Sequence, residues 1–285
     1  MKNFFVLCFV LITGINFQIS AQESEMEVPG DHFDLNGALE LFKKSESPES
    51  FEKALNTEGN FVNNLDLNGD GDIDYIQVVE KMDGDIHVLV LQVAVSESES
   101  QDIAVIEIEK DGKESATVQI VGDEDIYGTQ SIVEPYDDAF YNPDTKQYEP
   151  KQSASEPAVV NVWLWPSVRY IYAPSYRPWI SPFRWRVYPS YWRPWRPHPI
   201  LFFRTHRPVY VGFRIAPVHR VVRAHRVYVP VRRHSVVVHT KYRTNVEHRR
   251  THTTVKTTKK TTKVERGHGK TTVTTTKKTR TTKRR

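Results

Sequence analysis

Of the 285 residues only one is cysteine, Cys8, and it lies within the apolar stretch at the N-terminus. Beyond it the chain has no thiol, which excludes disulfides, thiolate metal sites and cysteine nucleophiles from anything built on later residues. No apolar run of about 18 or more residues follows the N-terminal stretch, so no membrane-spanning helix is predicted. G-x-S-x-G, H-E-x-x-H, the phosphate-binding P-loop and the dinucleotide glycine pattern are all missing, and the enzyme classes they serve lose their sequence support. The expectation is a non-enzymatic protein. Charge of one sign is scarce in each half. Residues 22–157 hold 8 Lys/Arg against 33 Asp/Glu, and residues 158–285 hold 2 Asp/Glu against 30 Lys/Arg, so a net charge of +4 conceals balances of −25 and +28. Such separation predicts an acidic module followed by a basic one.

The N-terminus reads Met-Lys-Asn, an apolar run from Phe4 to about Ile15, then Ser20-Ala21 before polar Gln22. A basic start, a short apolar core and a terminal small residue are the parts of a secretory signal peptide, here residues 1–21. The predicted location is secreted, periplasmic or cell envelope. A disulfide-free exported chain must hold its fold by packing or by a metal.

Residues 22–122 predict an α+β module. Apolar residues recur at helical spacing over Phe33–Lys44 behind Asp34, and Ser47-Pro48 is a cap followed by proline at a first helical position. From Tyr75 the period changes to β-branched runs, 75–81, 86–95, 103–109 and 116–121, with Asp83-Gly84 and Asp111-Gly112 between two of the pairs. The expectation is two helices on a four-stranded antiparallel meander. Residues 123–157, acidic and carrying Pro135, Pro143, Pro150 and Pro157, read as an extended linker. Residues 158–250 hold all six tryptophans and eleven prolines, which predicts extended or edge-strand backbone. In residues 251–285, 15 of 35 are Thr and 12 are Lys or Arg, a composition that predicts a disordered tail.

Asp66-Leu67-Asn68-Gly69-Asp70-Gly71-Asp72-Ile73-Asp74 carries oxygen donors at alternate positions around two glycines. Calcium takes six to eight oxygens, and a tight loop can aim Asp66, Asn68 and Asp70 at one point, with the Asp72 carbonyl and Asp74 completing the set. The stretch resembles the calcium loops of EF-hand and dockerin proteins, with two departures. Position twelve is Gln77 where that family places a bidentate Glu, and strand-like residues follow where a helix should start, which is closer to the β-hairpin calcium loops of integrin-type propeller repeats. Either resemblance covers only residues 66–77 and implies calcium as a cofactor, not an activity.

In the basic region Arg177, Trp179, Arg193, Trp195 and Arg196 combine guanidinium charge with stacking rings, which suits an anionic cell-envelope component or extracellular polymer. An export signal argues against genomic nucleic acid. The alternative is self-association, the acidic and basic halves pairing within or between chains. Nine of the eleven histidines fall between His198 and His268 at irregular spacing. Neighbouring arginines disfavour reading them as metal ligands.

Overall fold

Asp34 caps helix α1 (Leu35–Lys44) by accepting the Asn36 amide at 3.0 Å, and Lys43 and Lys44 sit in its last turn against the negative end of the helix dipole. Ser47 caps α2 (Pro48–Leu55), with Pro48 supplying a first helical residue that needs no N–H partner. Leu39, Phe42, Phe51 and Leu55 are completely buried, and the rings of Phe42 and Phe51 meet edge to face at 5.4 Å. These contacts come from a computed structural model that describes residues 26–137, 141–142, 147–148, 159–252, 254–267 and 270–283. The expected signal peptide lies outside the described residues.

Four strands follow: β1 (Ile76–Asp83), β2 (Ile86–Ala94), β3 (Ser100–Gly112) and β4 (Ser115–Gly122), each antiparallel to the next. Gly84 takes φ +59° at the first central position of the β1–β2 turn, the position where a two-residue hairpin loop wants glycine. The fold is α+β, and its sheet is wider than the sequence predicts. Residues 123–135, read as the start of a linker, form a one-turn helix α3 (Glu124–Tyr127) and a fifth strand, β5 (Ser131–Pro135). Asp123 caps α3 and Gly128 ends it at φ +74°. Pro135 closes β5 instead of breaking it, because a proline at the strand end removes no interior ladder bond. Two short strands, β6 (Tyr141–Asn142) and β7 (Gln147–Tyr148), pair with each other.

The Pro-rich region is also more helical than predicted. Residues 172–199 are largely irregular and extended, but the chain also forms α4 (Pro166–Ile171), α5 (Ile200–His206), α6 (Val222–Tyr228) and α7 (Val236–His252). The prolines punctuate these helices: Pro166 begins α4 at a tolerated first position, while Pro208, Pro217 and Pro230 fall between α5, α6 and α7. Between α5 and α6, β8 (Phe213–Ile215) joins the sheet beside β5, giving the order β1-β2-β3-β4-β5-β8.

Side chains alternate across this sheet, and both of its faces are covered. Leu89, Leu91, Val93, Ile106 and Ile120 pack beneath α1 and α2, whereas Val88, Val90, Val105 and Val121 pack against Val221, Ala224 and Tyr228 of the α6 segment. A sheet buried on both faces explains why β2 is apolar almost throughout. Strands β9 (Thr254–Gly267) and β10 (Lys270–Lys283) pair antiparallel with each other and with no other strand, where disorder was expected. No helix among the described residues is long and apolar enough to cross a membrane.

Candidate calcium loop and its C-terminal clasp

The segment between α2 and β1 is a tight turn organised by its own acidic side chains. Asp66 Oδ1 accepts the amides of Gly69 (2.6 Å) and Asp70 (3.1 Å), and its Oδ2 accepts that of Gly71 (3.1 Å). Asn68 Oδ1 accepts the Asp70 amide and Asp70 Oδ1 accepts the Asp72 amide. Gly69 and Gly71 stand at φ +80° and +87°, a backbone that residues with a Cβ rarely adopt. Asp70 and Asp72 face solvent, while Asp74 is buried and accepts the Leu67 amide at 2.6 Å. Burial, reinforced by the Asp66 and Asp70 carboxylates and opposed by the Leu67 hydrogen bond, pushes Asp74 up to about 7.

The donor set fits a hard cation, since every predicted ligand offers oxygen. The loop carboxylates are still bonded to loop amides, however, and they do not converge. Among the described residues the one group of three ligand-type His, Cys, Asp or Glu side chains with ligating atoms within 4.8 Å of one another is Glu107, His219 and His225, far from this loop in sequence. Gln77, at position twelve, donates to the Phe183 carbonyl at 2.8 Å. Glu80, the nearest candidate to replace the missing Glu, is buried and committed to His87, Tyr176 and the Trp179 amide.

The basic region grips this loop. Tyr242 of α7 donates to the Asp66 carbonyl at 2.9 Å, Lys241 reaches the Leu67 carbonyl at 3.4 Å, and the Ile73 amide donates to the Trp195 carbonyl at 2.8 Å. Beside the loop lies a cavity of about 340 Å³ walled by His32, Asn64, Asp66, Lys241, Tyr242 and Asn245.

The five residues predicted to bind anions divide into two groups. Arg177, Arg193 and Arg196 are exposed, although Arg193 is partly occupied by the Ser190 and Trp192 carbonyls. Trp179 and Trp195 are half-buried and turned into the protein. The Trp179 indole donates to Glu52 at 3.1 Å, its carbonyl accepts the Glu80 amide, and the Ser181 amide donates to the Val78 carbonyl, so residues 179–181 cover the outer edge of β1. The Trp195 indole N–H is buried.

Sequence reasoning missed the carboxylates that bind the two halves together. Glu52 accepts from Tyr75, Val78, Trp179 and Ser181. Asp102 accepts from Gln92, Tyr228 and the Arg233 amide. Asp123 takes a two-pronged bond from Arg232 at 2.6 and 2.8 Å, and Arg232 also reaches Asp125 at 2.6 Å. Glu134 receives Arg214 and Arg220, and Asp31 receives Arg249. Burial, the largest influence in each case, raises the pKa of Glu52, Asp102 and Asp123 above the ordinary carboxylate range despite those donors. Asp102 had a signal in the sequence, an acidic residue at the start of an apolar strand run where only a partnered charge is tolerated, whereas Glu52 on α2 and Asp123 at the start of α3 had none.

Comparison with known proteins finds no matching family model, no matching curated protein and no matching solved structure.

Proposed function

We propose that this chain is an exported, non-catalytic calcium-binding protein whose acidic sheet is clasped by its own basic C-terminal region. In this reading the unit of α1, α2 and the first four strands carries the ion, and the 66–74 loop is the latch. The observation that carries the proposal is the pairing of a pre-turned all-oxygen loop with bonds from Tyr242 and Trp195, which lie 176 and 122 residues away from the loop partners they hold. Calcium would draw Asp66, Asn68, Asp70 and Asp74 together and neutralise the carboxylate repulsion that adds to the effect of burial on Asp74. A tighter loop then firms the clasp. Lacking a bidentate Glu, the site should be weak, in the range of about 10⁻⁴–10⁻³ M typical of extracellular modules. Outward-facing Arg177, Arg193 and Arg196 would hold an anionic envelope component or extracellular polymer, with Trp179 and Trp195 shaping the support beneath them.

Calorimetric titration of residues 22–285 with calcium, beside Asp70→Ala, tests the latch. One ion bound per chain and lost in the variant is the expected result, and equal heats in both overturn it. A second reading, self-association through the opposed halves, draws on the ion pairs between Arg232, Arg214 or Arg249 and their acidic partners. Because those pairs form within one chain, the reading is structural, and exchange between chains should appear as a change in oligomer size on passing from low to high salt.

A further inference from the structure

On the sheet face opposite α1 and α2, the Glu107 carboxylate on β3 meets two imidazoles from the basic region. His219 Nε2 lies 2.5 Å from Glu107 Oε2, and His225 Nδ1 lies 2.8 Å from Oε1. The two imidazole rings stand nearly perpendicular with centroids 4.5 Å apart. We propose that Glu107, His219 and His225 form a three-ligand site for a divalent transition ion of the zinc class, separate from the calcium loop and independent of it.

Two imidazole nitrogens and one carboxylate oxygen are the donor set that zinc accepts, and a site with three protein ligands leaves a coordination position for water. The ligating atoms lie within 4.8 Å of one another. Tetrahedral bonds of about 2.0–2.1 Å place ligands ~3.3 Å apart, so the two short contacts, 2.5 and 2.8 Å, need to open by ~0.8 and ~0.5 Å to admit an ion. Burial is graded suitably. The Glu107 side chain is fully buried, that of His219 is 14% exposed and that of His225 37%, so the open position faces solvent and an ion has a path in.

The histidines are held from both sides by the sheet. Gln119, the direct cross-strand neighbour of Glu107 on β4, donates to the Val218 carbonyl at 3.0 Å and accepts the Arg220 amide at 2.7 Å, fastening the backbone on either side of His219. Glu109 accepts the Ala224 amide at 2.9 Å, fixing the residue before His225. Ligands positioned by a second layer of hydrogen bonds are what distinguishes a built site from a chance meeting of side chains. The nearby arginines, the reason for setting these histidines aside on sequence alone, are engaged elsewhere: Arg223 with Glu109 at 3.1 Å and Arg220 with Glu134 at 3.2 Å. Their charge is met by carboxylates other than Glu107.

The test is zinc titration of residues 22–285 by calorimetry, with cobalt as a spectroscopic substitute. One high-affinity ion per chain is expected, with the visible absorption of cobalt in a four-coordinate nitrogen–oxygen field. His225→Ala takes one partner from the buried Glu107 carboxylate and should lower the melting temperature without metal, while weakening zinc by more than the ~10–100-fold that loss of an outer partner alone costs. His219→Ala should do the same. His239→Ala, in an exposed position of the same region, should leave the affinity unchanged. Zinc affinity equal in wild type, His219→Ala and His225→Ala, or weakened as much by His239→Ala, would mean only general histidine binding and overturn the site. Absence of binding at millimolar zinc would overturn it as well.

Discussion

Removing the Arg232 guanidinium should destabilise the full chain by about 2–3 kcal/mol. Asp123 has a side chain only 1% exposed and sits at the junction of β4 and α3, where it also caps the helix. With Arg232 replaced by alanine, its carboxylate keeps the Asp125 amide and a distant Tyr228 hydroxyl but loses both charge-assisted bonds. Stripping the partner from a fully buried ion pair costs roughly 3–5 kcal/mol. Arg232 itself is a third exposed, so water re-enters and the lower figure follows. Urea unfolding followed by tryptophan fluorescence reads the loss as a lower midpoint at constant slope. The decisive comparison is a double-mutant cycle. Asp123→Asn retains a capping oxygen without the charge, so Arg232→Met with Asp123→Asn should recover most of what Arg232→Met loses. A loss below about 0.5 kcal/mol for Arg232→Ala, the level of an ordinary exposed ion pair, would refute the idea that buried charge pairing joins the two halves.

Asp66→Ala should lower the melting temperature in millimolar calcium more than in chelator, because it removes a proposed ligand as well as three loop hydrogen bonds; thermal unfolding in both buffers checks this, and equal losses count against the latch. In chelator, stability should fall as pH rises from about 4 to 7. Asp74 binds its proton more tightly folded than unfolded, so its contribution is complete below the ordinary value of 3.8 and is lost as pH passes about 7, and Glu52, Asp102 and Asp123 shift the same way. A pH series of melting temperatures decides it, and a rise across that window would contradict the burial argument. Trp179→Ala should cost about 2 kcal/mol, since it removes the indole donor from buried Glu52 and half-buried ring area over β1. Exposing that strand edge should also promote aggregation, detectable by light scattering.

Much of the architecture was legible because it rests on local chemistry. Asp34 and Ser47-Pro48 marked the two helix starts through their capping geometry, and Asp83-Gly84 marked a hairpin through the positive φ that glycine permits. The tight turn at 66–74 was legible for the same reason, since its glycines and Asx hydrogen bonds span fewer than ten residues. Contacts across long sequence separations were not. Nothing near Ser131–Pro135 announces that a strand 80 residues later will pair with it, and Pro135 argued against a strand at all. Trp179 and Trp195 looked like surface aromatics because the carboxylate and amide they serve, Glu52 and Ile73, lie more than a hundred residues upstream. The Glu107 cluster was hidden in the same way, its carboxylate 112 residues before the first of its histidines.

Those long-range partners decide what the acidic module can do alone. Without residues 159–252 one sheet face loses Val221, Ala224 and Tyr228, the β1 edge is uncovered, and β8 is gone. Glu107, Asp102 and Glu134 would then project from the sheet without the basic residues that meet them. Exposure to water would relieve the charges, but the apolar rows between them, Val88, Val90, Val105 and Val121, would be bared as one continuous patch. A fragment ending at residue 150 should therefore lack the cooperative unfolding of the full chain and bind hydrophobic dye, although α1, α2 and the hairpins have strong local signals. Adding residues 159–252 as a separate polypeptide should restore protection from hydrogen exchange in β2 and β3, and raised salt should weaken that rescue because the two pieces carry opposite charge, −25 over residues 22–150 and +17 over residues 159–252. Full two-state stability in the isolated fragment would show that the basic region is an appendage, and that the carboxylates buried beneath it are a consequence of its docking instead of a reason for the fold.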